Sequence, residues 1–266
     1  MGAKGFFTDT TVCIGCKACE VACKQWNQLP DDGLFFSGMS YDNTLELGAS
    51  TWRHVRFVER DESLSGQTTG IGDFSFLMMS DVCKHCQRAG CLEVCPTGAI
   101  VRTEFDTVYV QPDICNGCGY CVVACPFGVI DRRDDDGRAW KCTLCYDRLK
   151  DGMTPACAKA CPTESIVFGD LDELHERAEA RVASLHERGV SEAYLYGKDA
   201  GSQPGTEGLN AFFLLADRPE VYNLPPDPEV PTKRAGEAWR ALAVAAVGML
   251  GAALAAVATV SSKEGR

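Results

Sequence analysis

The sequence predicts an α+β protein built from two small, nested cysteine-rich units and followed by one apolar C-terminal helix. Three observations carry that prediction. Sixteen of the 266 residues are cysteine, and they fall into four sets of four with none left over. The two middle sets are separated by a short interval that reads as a hairpin, while the outer sets stand on either side of them. Residues 241–260 are a twenty-residue run without a charge. The length fits about two domains. Hydrophobic residues at 45% and charged residues at 24% describe a folded chain and exclude a wholly disordered one. A net charge of −11 argues against nucleic acid or anionic lipid as a partner.

The sets are Cys13, Cys16, Cys19, Cys23; Cys83, Cys86, Cys91, Cys95; Cys115, Cys118, Cys121, Cys125; and Cys142, Cys145, Cys157, Cys161. The first and third read C-x2-C-x2-C-x3-C, the second C-x2-C-x4-C-x3-C and the fourth C-x2-C-x11-C-x3-C. Disulfide frameworks spread cysteines to close long loops and do not crowd them at every third residue. Residues 1–10 hold one Lys and no apolar core, so a secretory leader is not expected there. Structural zinc takes two separated pairs of thiolates. Three cysteines in one seven-residue loop suit an iron–sulfur cube, whose fourth iron takes a thiolate from elsewhere. No cysteine in any set is replaced by Asp, Trp or His, so the expectation is four [4Fe–4S] clusters with all-thiolate ligation.

In two-cluster ferredoxins the first three cysteines of a run bind one cluster and the fourth binds the other. The fourth is expected to open a helix, and Pro96, Pro126 and Pro162 follow it in three sets, whereas Lys24 follows Cys23. Twenty residues separate Cys95 from Cys115, and residues 98–111 alternate and turn like a β-hairpin. The second and third sets therefore form one ferredoxin-like unit. Its clusters would be C (Cys83, Cys86, Cys91, Cys125) and D (Cys115, Cys118, Cys121, Cys95). The outer sets then pair as clusters A (Cys13, Cys16, Cys19, Cys161) and B (Cys142, Cys145, Cys157, Cys23). Sequential pairing is the rival; it needs an insertion of roughly 60 residues between Cys23 and Cys83 and gives up the hairpin unit. The nested reading assigns residues 1–80 and 126–170 to the first unit with an insertion, 81–125 to the second, 171–237 to a helix, docking segment and Pro-rich linker, and 238–260 to a transmembrane helix.

Residues 52–60 (WRHVRFVER) alternate like a strand, 66–72 read as a loop, and 74–79 are a short apolar run. Asp170 is an N-cap candidate for an amphipathic helix over 171–188, with Leu171, Leu174, Ala178, Val182 and Leu185 on its apolar stripe and Gly189 past its end. Residues 211–215 (AFFLL) read as a buried strand or docking segment, and Pro225-Pro226-Asp227-Pro228 as a linker. As a helix, residues 241–260 would span about 30 Å, the thickness of a bilayer core. Trp239 and Arg240 stand at one end and Lys263 at the other. The alternative is a buried core helix; position after the Pro-rich segment favours the membrane. Gly248, Gly251 and the alanines permit close helix packing against a membrane partner. The histidines are His54, His85, His175 and His186, none in the apolar run, so the tail offers no haem ligand. His85 is read as an exposed imidazole rather than a cluster partner. No Ser-His-Asp set, phosphate loop or dinucleotide fingerprint is present, so the protein by itself is not expected to be an enzyme.

The stretches CIGCKACEVACKQWN at 13–27, CGYCVVACPFG at 118–128, KCTLCYDR at 141–148 and PACAKACPTESIVFG at 155–169 resemble the iron–sulfur (beta) subunits of membrane-bound respiratory formate dehydrogenases. Cysteine runs alone would match any four-cluster subunit serving molybdopterin enzymes or hydrogenases. Trp26-Asn27, the YLYG patch at 194–197, AFFLL with 219–228 and the single C-terminal helix are most similar to the formate dehydrogenase branch. The resemblance implies two ferredoxin-like units and a role in passing electrons from a molybdopterin (Mo or W) catalytic alpha subunit to a membrane cytochrome b or quinone-reactive gamma subunit. It implies a single-pass membrane protein with the cluster domain outside the cytoplasm, exported folded with a partner that carries the signal. Positive charges flank the tail on both sides (Lys233, Arg234 and Arg240 against Lys263 and Arg266) and set no orientation. The alternatives are the equivalent subunit of a hydrogenase or of a sulfur, nitrite or dimethylsulfoxide reductase, and, from another class, a zinc-stabilised assembly protein.

Overall fold

A computed structural model describes residues 2–33, 36–38, 43–44, 46–60 and 75–264, with side chains of 75 and 256–264 excepted. The expected loop at 66–72 and Phe74 lie outside the described residues. The chain divides into two compact units, Met1–Val230 and Pro231–Arg266.

In the first unit, β1 (Lys4–Asp9) leads through a 3-10 turn (Thr10–Val12) into the first cysteine loop and helix α1 (Ala18–Trp26). Strands β2 (Arg53–Arg60) and β3 (Ser75–Val82) pair antiparallel from Arg53↔Val82 to Arg60↔Ser75. The second set surrounds the one-turn helix α2 (Gly90–Glu93), and the expected hairpin follows as β4 (Ile100–Arg102) and β5 (Val108–Val110). Helix α3 (Tyr120–Ala124) carries the third set, and a two-residue hairpin, β6 (Asp131–Arg132) with β7 (Ala139–Trp140), delivers the fourth. The eleven-residue gap of the fourth set holds α4 (Tyr146–Lys150) and the start of α5 (Ala156–Ala160). Then come β8 (Ile166–Asp170), α6 (Leu171–Glu187), β9 (Tyr194–Tyr196) and β10 (Ala211–Leu215).

The long-range frame is a four-stranded sheet ordered β8-β1-β10-β9. β1 runs parallel to β10 and antiparallel to β8, and β9 runs antiparallel to β10. The apolar run of β10 is buried on both faces, as a central strand requires. On one face Phe7 stacks on Phe212 at 5.4 Å, and His175 of α6 meets the Phe212 ring edge-on at 4.9 Å. Leu171, Leu174, Ala178 and Leu185 of α6 are buried there. On the other face Phe6 and Phe213 meet cations from the cysteine-bearing elements: Arg53 over Phe6 at 4.9 Å and Lys84 over Phe213 at 5.5 Å. The sheet thus separates α6 from the cysteine loops.

Four readings are corrected. Asp170 sits at the N-cap of α6, but its carboxylate accepts from Lys4 Nζ at 2.8 Å instead of capping the helix. Residues 171–230 are continuous with the first unit, because β9 and β10 complete its sheet. Pro225–Pro228 is packed rather than free: the Tyr196 hydroxyl donates to the Pro225 carbonyl, and Leu224 and Val230 are buried. The fourth cysteine of a set does not open a helix. Cys125 and Cys161 terminate α3 and α5 in extended conformation, which the following Pro126 and Pro162 impose on the residue before them. Cys23, lacking a following proline, stays inside α1.

The second unit is a 3-10 turn (Pro231–Arg234) and α7 (Ala235–Glu264). Within Pro231–Ala255 the mean hydropathy reaches 1.7 and nothing is buried, so by length and composition α7 is able to cross a membrane.

Candidate metal centres

Each cysteine loop contains left-handed backbone. In the first loop Gly15 (φ +65°) and Lys17 (φ 59°) are left-handed. A Cβ on Gly15 would stand 2.6 Å from Met78 Sδ and from the Phe57 ring. In the fourth loop Leu144 (φ 56°) and Cys145 (φ 50°) are left-handed despite their side chains, and Leu144 N–H donates to Cys142 Sγ at 3.3 Å. Strain of this kind persists where a site over-determines it.

The structure gathers the cysteines across the sets. Cys13, Cys16 and Cys19 line one cavity with Cys161; pairing of β1 with β8 carries the two segments together. Cys83, Cys86 and Cys91 line a second with Cys125. The Cys23 thiol is pushed well up by burial and by the charges of Cys142, Cys157 and Cys145. Burial followed by the charges of Cys115, Cys118 and Cys95 raises Cys121 to about 11. Burial pushes up Cys91 to about 12 and Cys19 and Cys145 to about 11. Cys95 goes the other way: burial pushes it up, but the Thr97 hydroxyl and the amides of Ile100, Thr97 and Ala99 outweigh that.

These features test the fit of an iron–sulfur group. Each of two cavities is lined by four thiols. Among the described residues no group of three or more His, Cys, Asp or Glu is arranged to hold a single metal ion. The donors are all soft sulfur, and sulfur-directed donors are already in place. Ser80 Oγ lies 3.2 Å from Cys19 Sγ, Ala139 N–H donates to Cys115 Sγ at 3.4 Å, and Asn27 Nδ2 donates to Cys23 Sγ at 3.6 Å. The residues fit a cube better than a single zinc ion.

The gatherings also adjoin one another in series. Arg53 Nη2 donates to Cys157 Sγ at 3.2 Å, while its Nη1 donates to Ser80 Oγ, the neighbour of Cys19, at 3.3 Å. Cys142 feels the charge of Cys83, and Lys141 sits between Cys83, Cys91 and Cys142. Cys91 in turn feels Cys121, and α2 meets α3 so closely that a Cβ on Gly90 would stand 2.6 Å from the Ala124 carbonyl. Of sixteen cysteines only Cys16 and Cys118 are exposed. In the sequence Cys16 is flanked by the exposed Ile14 and Val21, and Cys118 by the exposed Ile114, Tyr120 and Val123.

The sequence did not disclose the buried cations Arg53, Lys84 and Lys141, each 2% exposed or less. Alternating strand character marked Arg53 as one residue of a strand with charges on both faces. His85 is also buried, against expectation: its Nδ1 accepts from Val108 N–H at 3.1 Å, and burial, reinforced by Lys141 and Arg102, holds the imidazole well below its usual range. Trp26 and Asn27 do have roles at the site. Trp26 Nε1 donates to Asp147 at 2.8 Å and its ring stacks under Arg148, joining α1 to α4, and Asn27 donates to the Cys23 carbonyl as well as its sulfur.

Paired helix-borne cysteine loops of this kind define a ferredoxin-type iron–sulfur electron-transfer protein. Two family models, each described as a 4Fe-4S dicluster domain, match residues 12–99 and 74–171. The formate dehydrogenase iron-sulfur subunit of Haemophilus influenzae is 41% identical over 256 residues, covering 94% of this chain and 77% of that protein. The nitrate-inducible formate dehydrogenase iron-sulfur subunit of Escherichia coli is 41% identical over 228 residues, 84% of this chain and 73% of that one. The B subunit of the anaerobic dimethyl sulfoxide reductase of Escherichia coli is 35% identical over 173 residues, 65% of this chain and 76% of that one. The protein belongs to the family of formate dehydrogenase iron–sulfur subunits.

Proposed function

We propose that the protein carries single electrons between a molybdopterin catalytic subunit of a formate dehydrogenase and a membrane cytochrome b or quinone-reactive subunit. It would hold four [4Fe–4S] clusters, ligated as A by Cys13, Cys16, Cys19 and Cys161, B by Cys142, Cys145, Cys157 and Cys23, C by Cys83, Cys86, Cys91 and Cys125, and D by Cys115, Cys118, Cys121 and Cys95. A bound cube of this type accepts and returns one electron, at a potential set by charge, burial and hydrogen bonds to its sulfurs. The observation that carries the reading is the series A–B–C–D with exposed thiols only at its ends, Cys16 and Cys118. A storage or structural role gives no reason for two exposed ends, each with exposed apolar residues beside it in the sequence; a relay between two partners does.

The direction we propose for the series is supported by the place where the backbone leaves the first unit. Val230 Cγ1 lies 3.1 Å from the position of a Cβ on Gly90, the residue before Cys91, which puts the exit point beside cluster C. In this reading the D end faces the membrane partner and the A end the catalytic subunit, and α7 anchors the protein in the membrane. The cluster-bearing unit lies outside the cytoplasm in this reading. Val21→Glu and Val123→Glu test it by co-purification. V21E is expected to lose the catalytic subunit alone and V123E the membrane subunit alone; the opposite pattern reverses the series, and no loss in either variant rejects both docking faces.

A further inference from the structure

Arg53 is an anomaly of charge. Its side chain is among the largest fully buried ones in the protein, at 2% exposed. A buried ion ordinarily requires an opposite charge, because desolvating it costs several kcal/mol. Among the described residues Arg53 makes no ion pair with a carboxylate, and its Nε has no hydrogen-bond partner. Its other nitrogens reach the Ser80 carbonyl at 3.2 Å, Ser80 Oγ at 3.3 Å and Cys157 Sγ at 3.2 Å. The Phe6 ring lies across the guanidinium at 4.9 Å. The guanidinium, a permanent cation in proteins, lies among the sulfurs of Cys157, Cys19, Cys142 and Cys23. Those four thiolates stand on both sides of the A/B junction: Cys19 with cluster A, and Cys157, Cys142 and Cys23 with cluster B.

We propose that Arg53 is a permanent counter-cation shared by clusters A and B, placed at the junction between them so that an added electron on either is stabilised by the same guanidinium. The proposal rests on the ligand sets given above. Its chemistry follows from charge. Each reduction adds one negative charge to a cluster, and a fixed positive charge in a dry site favours the reduced form without reorganising. Cluster B, in direct hydrogen-bond contact through Cys157, feels the cation more strongly than cluster A, which meets it through Ser80. Arginine suits the place because its guanidinium does not lose its proton in proteins and its planar fork serves two directions at once. The two clusters are thereby tied together: a charge on one draws on the cation that the other also uses.

The test is a redox titration of the intact complex, followed by electron paramagnetic resonance, for the parent protein and for Arg53→Met, Arg53→Gln and Arg53→Lys. Iron content and the cluster spectra are recorded first. If the parent lacks four clusters or their ligation differs, the ligand assignment fails, independently of Arg53. With all clusters present, R53M and R53Q should lower the reduction equilibrium constant of cluster B by about tenfold, a shift of about 59 mV for a one-electron couple. Cluster A should move less in the same direction, C and D should stay in place, and R53K should restore most of the shift. Unchanged potentials for A and B in R53M or R53Q overturn the proposal. If the neutral variants lose iron while R53K keeps it, the charge itself retains the cluster and the proposal stands. If R53K loses iron equally, the side chain acts by shape and hydrogen bonding, and the proposal falls.

Discussion

Nested ligation makes an arithmetical prediction that sequential ligation does not share. Cys23 is 5% exposed and its thiol is raised by burial and by Cys142, Cys157 and Cys145, whereas Cys16 lines the cavity shared with Cys161. Cys23→Ala removes one of four thiolates from cluster B, and loss of that cube takes about four of roughly sixteen irons. Cys16→Ala removes about four through cluster A, and Cys142→Ala about four through cluster B. The informative variants are pairs, because effects within one unit do not add and effects on separate units do. Cys23→Ala with Cys142→Ala should leave about twelve irons, no fewer than either single change, while Cys23→Ala with Cys16→Ala should leave about eight. Iron and acid-labile sulfide on anaerobically purified protein read this directly. Eight irons in both pairs would mark sequential ligation, and twelve in the Cys16 pair with eight in the Cys142 pair would show that each set keeps its own fourth cysteine; either outcome would make the nested scheme wrong.

Three further outcomes follow from the structure. Lys141, 2% exposed, donates to the Val108 carbonyl at 2.5 Å and the Cys142 carbonyl at 3.0 Å, so Lys141→Met should lower the potentials of clusters B and C by about 59 mV, a tenfold change in equilibrium constant, in a redox titration; an unmoved cluster C would remove Lys141 from the B/C junction. Phe212→Ala opens the sheet core where Phe7 stacks at 5.4 Å; it should cost about 3–5 kcal/mol and lower the temperature of cluster bleaching, at one scan rate, by about 6–20 °C, and a shift under a few degrees would contradict the burial of β10. Deleting residues 238–266 should release the complex of this protein and its catalytic subunit from membranes with clusters intact, because the first unit ends at Val230; retention in the membrane fraction would deny α7 its anchoring role.

What was legible in the sequence is what short-range chemistry writes there. The spacing Cys115-x2-Cys118-x2-Cys121 states a loop that offers three thiolates to one group, and alternation in Ile100-Val101 and Val108-Tyr109-Val110 states the hairpin. The stripe of α6 and the apolar run of β10 were visible for the same reason. The sheet that joins them was not. β1 pairs with β10 across some two hundred residues, Phe6↔Ala211 to Asp9↔Leu214, and nothing local in KGFFTD names that partner. Proline punctuation misled at Pro225–Pro228, where φ restriction fits a packed coil as well as a linker. Charge misled at Arg53, Lys141 and His85. Such residues are expected at the surface; the cysteines gathered around Arg53 and Lys141 supply the reason for burying those two cations, and the Val108 N–H supplies the partner that lets His85 be buried neutral.

The proposed four one-electron centres in one polypeptide are counted most directly by a reductive titration of the anaerobically purified subunit. With iron and sulfide measured on the same sample, it should show about sixteen of each and take up about four electrons per polypeptide. Uptake of three electrons or fewer with about twelve irons, or stoichiometric zinc with no uptake, would contradict it.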